Sequence, residues 1–583
     1  MIIKKLIRQM LLAQILSAMT VTICMLINSV MIGRFLGINN MSAYGYGAPL
    51  LLVFTALSNM ICAGSQVLCG RTLGIGDKTG TDSCFSTAIM LALLFSFTGT
   101  AIVFIFPDQI CILLGAGPKS PDNPVFELTK DYLQGFSIGA SAFMVQQTLV
   151  PYMQMAGGRK RLVVALGLTT VCNIIFNLLN VFVFKMGIFG MGLAYALSYC
   201  IAIIIFVDYL FRKNKLFYFK ISLVKIQICF QLIKEGTPIL ANQICLALLP
   251  LLCNRLLTVY GGTISVAAYS VISSVGNLCY SLSVGINGVS LSLSSMFFAD
   301  KDKKSLKESM RIIFLYSLII YIVVDLITLT ITKPIVILFI NDISAMDIAI
   351  TGLRLLTLSF IPCVFNSAIK NYYQGIGHNK LTMIICILQN FVTKGLCAVI
   401  LSQFWGITGI WLCFAAGEIV TSLLLCIYVS IKSIKPGFSL DSFLLLNFDF
   451  GINENNCYDR SITKAEEVVK TSESALDFCF DRGIDKKTGM YIALAIEEIG
   501  NNIFAYGFTD NRTHNIDIRL VIKEEITFLR IRDNCQSFDP VKYVELHQND
   551  DPVSHIGIRM VMKIVKEARY ENSFGLNNLS LLL

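Results

Sequence analysis

Charge is scarce in this chain: 15% of its 583 residues are Asp, Glu, Lys or Arg, against 55% hydrophobic. That balance excludes an ordinary soluble globular protein and points to the membrane class. A Gly-rich Lys-Ser/Thr phosphate loop is missing, which argues against a primary ATP-driven pump. Closely spaced cysteine pairs are missing too, although there are 19 cysteines. Most stand singly in apolar runs (Cys24, Cys62, Cys172, Cys200, Cys245, Cys386), where a free thiol packs as a small hydrophobe, so neither a zinc site nor a disulfide framework is expected. The first apolar run, from Met10 to about Leu36, lacks a small-residue cleavage site and exceeds a signal core, so it reads as a spanning helix. The net charge of +9 is no argument for nucleic acid, because it averages two unlike parts. Residues 1–436 hold 31 basic and 15 acidic side chains, residues 437–583 hold 16 and 23.

Apolar runs long enough to cross a bilayer begin near residues 10, 46, 84, 130, 161, 189, 232, 264, 309, 350, 381 and 406. The connections alternate in charge. One set carries 23 Lys and Arg, including Arg71, Lys78, Arg159, Lys160, Lys301, Lys303, Lys370 and Lys380. The other set holds few. The positive-inside rule then places both termini in the cytoplasm of a multi-pass protein, in a bacterial plasma membrane. The spans also repeat. Gln154, Gly157 and Gly187-Ile188-Phe189-Gly190 match Gln374, Gly377 and Gly406-Ile407-Thr408-Gly409; Ala43-Tyr44 matches Ala268-Tyr269, and Gly76-Asp77 matches Ala299-Asp300. The offsets run from 219 to 225 residues, so two six-helix halves, about 1–220 and 221–436, read as parallel copies flanking a cleft for alternating access. Ionisable residues within spans are functional candidates: Asp208, Arg255, Asp325, Lys394 and Glu418, with Lys394 and Glu418 close enough along the chain to pair. Asn173, Asn177 and Asn180 share one face of the fifth span, as cavity lining or as helix–helix glue.

Met31-Ile32-Gly33-Arg34-Phe35-Leu36-Gly37, Ala43-Tyr44 with Pro49, Gly70-Arg71-Thr72-Leu73-Gly74-Ile75-Gly76-Asp77, Gly157 and Lys160 together resemble the multidrug and toxic compound extrusion (MATE) family over about residues 5–430. The resemblance implies export of small organic, often cationic, compounds in exchange for Na+ or H+. It also implies a first-helix carboxylate in many members, where this chain has Asn28, an amide that offers a carbonyl to sodium but no titratable proton.

From about Phe438 the pattern changes to an α+β domain: helices at Ile462–Phe480, Met490–Tyr506 and Ile558–Glu567, a hairpin of His514–Val521 and Ile526–Asp533, and a last strand from Asn578. Glu497-Glu498-Ile499-Gly500-Asn501-Asn502, Asp533-Asn534-Cys535-Gln536-Ser537-Phe538-Asp539-Pro540 and Ile556-Gly557-Ile558-Arg559, in that order, resemble the GHKL ATPases, specifically the anti-sigma-factor serine kinases. The resemblance implies an ATP site in which Asn502 holds Mg2+ through the phosphates, Glu498 activates water or a hydroxyl, and Asp533 accepts from the adenine amino group. Gly557 would let a helix N-terminus approach phosphate. Cys535, Ser554-His555 and Tyr506 depart from the usual motifs.

The fold class expected is thus an all-α membrane part of twelve transmembrane helices in two six-helix lobes (1–436), plus a GHKL-type α+β sandwich (437–583). Secondary efflux controlled by a cytosolic ATP-binding domain, with ATPase or serine-kinase activity and a regulatory protein partner in view, is the leading expectation. A membrane receptor signalling through the tail and a lipid-linked sugar flippase are the alternatives.

Overall fold

The computed structural model describes residues 2–114, 116, 124–210, 216–337, 343–433, 439–446, 450–451, 454–508, 514–523, 526–546, 556–573 and 575–583. Its first part is a helical bundle, as it must be if backbone groups are to be satisfied without water. The helices are α1 (Ile2–Phe35), α2 (Ile38–Gly74), α3 (Lys78–Ile105), the short α4 (Pro107–Leu113), α5 (Pro124–Met155), α6 (Arg159–Leu179), α7 (Gly187–Asp208), α8 (Ile226–Ala299), α9 (Lys303–Ile337), α10 (Ile343–Thr357), α11 (Phe360–Gly375), α12 (Asn379–Ile387) and α13 (Thr393–Lys432). Among the described residues nine helices are long and apolar enough to cross a membrane, and the pair α10–α11, bent by 46°, makes a further broken span. Gly406, at φ 54°, divides the 54-residue stretch Asn379–Lys432 into two passes. With the more polar α5 the passes number twelve.

The duplication is written into the backbone. Left-handed glycines recur at the same offsets: Gly37 and Gly262 (φ 87° and 64°), Gly157 and Gly377 (74° and 87°), Gly187 and Gly406 (61° and 54°). The register at one connection differs from the motif match by two residues. Asp77 caps α3 by accepting the Gly80 N–H at 2.9 Å, and its counterpart is Asp302, which caps α9 by accepting the Ser305 N–H at 3.0 Å. Capping geometry, not Gly-Asp identity, fixes the equivalence. Asp300 is thereby free for another task.

The lobes meet where α2 crosses both ends of α8. Side chains at Gly64, Gly70 and Gly236 would overlap Leu232, Ser295 and Met60 of the opposite lobe, so glycine permits the close approach. Ser295 donates to the Gln66 carbonyl at 3.0 Å. Arg71 of the first lobe pairs with Glu235 of the second at 3.0 Å, and Asn379 Nδ2 donates to the same carboxylate at 2.9 Å. This seal lies at the end of the bundle that carries the tail.

After α14 (Leu440–Leu444), whose Phe443 and Leu444 carbonyls accept from the Tyr373 and Tyr372 hydroxyls at 2.8 Å each, the chain enters a five-stranded antiparallel sheet. The strands are β1 (Cys457–Ile462), β2 (Ile516–Lys523), β3 (Ile526–Asp533), β4 (Glu567–Ser573) and β5 (Leu576–Leu582), in the order β1-β2-β3-β5-β4. Helices α15 (Glu466–Asp481), α16 (Lys486–Asn502) and α18 (Ile556–Ile564) cover one face, and α17 (Pro540–Leu546) follows the hairpin. Ile518, Leu520, Leu529, Ile531, Leu579 and Leu581 point to those helices. Two strands differ from the sequence expectation. β1 ends at Ile462, where the helix was read to begin, so that α15 starts only at Glu466, and β4 follows α18 where the helix was extended to Glu567. Both are edge strands, polar enough to carry no alternating apolar signal.

Candidate transport and nucleotide sites

In the first lobe, the closely packed helices bring Asn28 beside Tyr132, which no motif marked, and through it near Tyr44 of the Ala43-Tyr44 motif. Asn28 is 1% exposed; its Nδ2 donates to the Tyr132 hydroxyl at 3.5 Å, and its Oδ1 has no hydrogen-bonding partner among the described residues. Tyr132 meets Tyr44 edge-to-face at 5.4 Å, and the hydroxyls of Tyr199 and Tyr195 are 3.4 Å apart. The contact of Cys24 with Thr170 at 3.9 Å sets α1 against α6 in register, one turn before Asn28 on one side and the asparagine row on the other. Asn173 and Asn177 are buried, with Asn177 Nδ2 donating to Asn173 Oδ1 at 3.5 Å; Asn173 Nδ2 and Asn177 Oδ1 are unpartnered among the described residues. Asn180 leaves that row. It donates to the Gly187 carbonyl at 2.8 Å and accepts the Met186 N–H at 3.1 Å, locking the turn into α7.

The second lobe holds a buried polar network. Lys394 Nζ lies 2.8 Å from Glu418 Oε1, so the two candidates are an ion pair. Glu418 also accepts from Asn366 Nδ2 at 2.8 Å and Gln389 Nε2 at 3.1 Å. Gln389 sits in a π-helical turn, Leu388–Val392, and its side-chain Oε1 accepts from Lys370 Nζ at 3.0 Å. Lys370 was counted among the basic connections; it is instead buried inside α11, because that helix runs on to Gly375. Sequence reasoning missed Asn366, Gln389 and Lys370, although the polar pair Gln389-Asn390 inside an apolar run was a usable signal. Asp325 is half-buried on α9, Oδ1 unpartnered among the described residues. Asp208 pairs with Arg161 at 3.0 Å, and Arg255 is exposed.

The tail carries a cavity of about 440 Å³ between α16, β3, β5 and α18, lined by Asn502, Tyr506, Asp533, Phe538, Tyr570 and Asn577 among others. That is the size of a small-molecule site. Asp533 closes β3 at its floor. Its Oδ1 accepts the Cys535 N–H at 2.8 Å and Asn577 Nδ2 at 2.7 Å. Burial pushes the Asp533 carboxyl up from its ordinary range, with those two donors working in the opposite direction. Asn577 is held in turn by Tyr570 and Asn572, which donate to its Oδ1 at 2.7 and 2.6 Å. Asn502 donates to the Glu498 carbonyl at 2.6 Å, which leaves its own Oδ1 for a ligand. A side chain at Gly557 would run into the Glu498 carboxylate, so this glycine also lets α18 pack on α16. Ser554 and His555 lie outside the described residues. Among those described, no His/Cys/Asp/Glu group could hold a metal by itself, so a divalent ion would need ligand oxygens as well.

Two duplicated helical lobes sealed at one end, with an α+β sandwich attached there, define a membrane transporter joined to a domain that holds its own cavity. The MatE family matches residues 13–179 and 238–399, more than half of the chain, and the protein belongs to that family. The "Histidine kinase-like ATPase domain" matches residues 463–582. Similar curated proteins are the "Multidrug export protein MepA" of Staphylococcus saprophyticus, 24% identical over 67% of this chain and 85% of that protein, and of Staphylococcus aureus, 22% identical over 68% and 89%. Solved structures agree in fold. An outward-facing multidrug resistance MATE transporter superposes with a TM-score of 0.68 at 19% identity, covering 72% of this chain and 94% of that one. A Vibrio cholerae MATE transporter gives 0.67 at 18%, covering 72% and 95%.

Proposed function

We propose that the protein exports small organic compounds, often cationic, in antiport with Na+ or H+, under the control of a cytosolic domain that binds ATP with Mg2+. The observation that carries this reading is the pair of lobes sealed at one end over buried polar atoms that have no hydrogen-bond partner among the described residues, an arrangement that suits an alternating-access carrier. Asn28 Oδ1, buried beside Tyr132, is a neutral oxygen ligand suited to Na+. Tyrosine faces nearby suit an organic cation. In the second lobe the buried Lys394–Glu418 ion pair is the charged element assigned to the response to a gradient.

The tail residues fit a nucleotide. Asp533, steadied by Asn577, offers an acceptor to an adenine amino group, and Asn502 offers an oxygen toward a phosphate-bound Mg2+. The bound nucleotide would supply the anionic oxygens that complete the metal's shell; Glu498 stands one turn before Asn502 to take a proton. The basic connections, including Arg71, Lys78, Arg159 and Lys301, stand on the tail side, which supports a cytoplasmic tail in a plasma membrane. Proteoliposomes loaded with a cationic dye test the transport reading: dye should leave when a Na+ or H+ gradient is imposed, and no flux under either would refute it. Fluorescent ATP-analogue binding to the full chain should weaken at least about tenfold in Asn502→Ala, as expected when one charge-assisted contact is lost.

A further inference from the structure

The sheet face turned away from α15, α16 and α18 carries Arg519 on β2 and Arg530 and Arg532 on β3. Arg519 and Arg530 stand directly opposite each other in the ladder. Like charges opposed across two strands repel, so this face is poorly designed to stand open. It does not stand open. Asp302 Oδ1 lies 2.5 Å from Arg519 Nη1 and Oδ2 lies 2.8 Å from Arg530 Nη2, while Asp300 accepts from Arg530 and, at 3.4 Å, from Arg532. All three arginine side chains are under 10% exposed. Burial works against the Asp302 charge, but Arg530, Arg519 and Arg532 more than offset it and hold its carboxyl below the usual range. Both aspartates belong to the connection between α8 and α9, in the second lobe.

The same sheet reaches the first lobe from its other edge. The β4–β5 turn brings Gly575 so close to Gly157 that a side chain at Gly157 would sit 3.0 Å from the Gly575 backbone, and Arg569 of β4 lies beside Gly76. Gly76 belongs to the α2–α3 connection, the repeat partner of the α8–α9 connection held by the arginines. One rigid sheet therefore spans equivalent connections of both lobes. The lobe ends it spans are those that must separate for the transporter to open toward the tail.

We infer that the tail is a latch that ties the two lobes together on its own side of the membrane, and that occupancy of its cavity sets how firmly it holds the first lobe. The second clause rests on the proposal that the cavity binds nucleotide. A short chain of side chains joins the two places. Asp533 at the cavity floor is bonded to Asn577, Asn577 to Asn572, and Asn572 Oδ1 lies 3.8 Å from the position of a Gly157 side chain. Asp533 also follows Arg532 directly in β3. A ligand that repositions Asp533 or Asn577 thus acts on residues one or two steps from both docking contacts, which is the differential contact that coupling requires.

The test uses the full chain in lipid nanodiscs and proteoliposomes. Asp300→Asn/Asp302→Asn removes the charges, while the amide introduced at position 302 keeps the α9 cap. Arg519→Met/Arg530→Met makes the same cut from the tail side, guarding against misfolding of either partner. Both variants should raise backbone hydrogen exchange in residues 76–80, 157–161 and 298–305 by more than about tenfold. Both should bind a fluorescent ATP analogue within about twofold of wild type while dye efflux loses its response to the nucleotide. Unchanged exchange in both variants would overturn the latch, and an efflux response to nucleotide kept in full would overturn its coupling to the cavity. If the wild-type chain bound no nucleotide, the reading of the cavity and the coupling would fall together, and exchange alone would still decide the latch.

Discussion

Replacing Glu418 alone should harm the protein far more than replacing Glu418 and Lys394 together. The carboxylate is 0% exposed and the ammonium 6%, at 2.8 Å. Taking away Glu418 strands a buried cation, which costs about 3–5 kcal/mol even after relaxation. The other donors to Glu418 have fallbacks. Asn366 Nδ2 also reaches the Glu418 backbone carbonyl at 2.9 Å, and Gln389 Nε2 also reaches Ser367 Oγ at 3.3 Å. With Lys394→Met/Glu418→Leu, two weakened hydrogen bonds remain at about 1 kcal/mol each, so the net cost stays under about 2 kcal/mol. Lys394→Met alone strands the carboxylate at a similar cost, so the cycle should show an interaction energy of at least about 4 kcal/mol. Unfolding by SDS in mixed micelles measures it, and additive single and double variants would refute the reasoning. Gradient-driven efflux of the double variant then separates two roles. A folded protein that no longer responds to the gradient makes the pair part of coupling; intact transport makes it a structural tie.

Asp302→Ala should cost about 1 kcal/mol more than Asp302→Asn in the same unfolding assay, because only the alanine also loses the α9 cap. Asn577→Ala should weaken ATP-analogue binding about tenfold by titration fluorimetry, since Asp533 loses the donor that fixes its carboxylate. Gly64→Ala should cost about 1–3 kcal/mol through overlap with Leu232 and shift the lobes toward separation, read as increased labelling of tail-side residues by a water-soluble reagent. Glu571, facing Lys78, Asp77 and Arg569, is pushed up to about 7 by burial. A raised carboxyl pKa favours the docked, protonated form: its contribution is complete below the ordinary value near 4.5 and is lost as pH rises to 7. Latch-segment protection should thus fall between those pH values, by at most about one decade per unit, and Glu571→Gln should flatten the profile.

The membrane part was legible because its physics is one-dimensional. Long apolar runs, alternating basic connections and a repeat offset survive any arrangement of the helices. Even there, Lys370 was misplaced, because a lysine near a span end looks the same whether it sits in a connection or inside the helix. Of the tail motifs, Asn502 and Asp533 do line one cavity, because each sits at a fixed position on a local element, while Gly557 packs against Glu498 outside its lining. Tyr132, Tyr195 and Tyr199 were not legible, since a tyrosine in an apolar run carries no sign of which neighbours it meets. The docking arginines were least legible. Arg519, Arg530 and Arg532 alternate along the hairpin with Ile518, Leu520, Leu529 and Ile531, a pattern that any solvated strand face would show, and only tertiary structure shows that this face is covered.

The two ends of the latch are unequal, and that inequality says which end lets go. On the second lobe, three arginines and Asp302 are buried, Asp300 is 18% exposed, and α14 accepts two hydrogen bonds from Tyr372 and Tyr373. On the first lobe, Arg569 is 53% exposed and bonds its strand neighbour Glu567, the Gly157–Gly575 contact is close backbone packing, and Glu571 faces Lys78 without an ion pair among the described residues. Exposed charges contribute about 0–1 kcal/mol, far less than buried pairs cost to break. Opening toward the tail side should therefore release the first lobe and leave the sheet riding on the second. The chain of hydrogen bonds from the cavity ends at this weaker contact, where a small differential affinity of a ligand is enough to shift the balance.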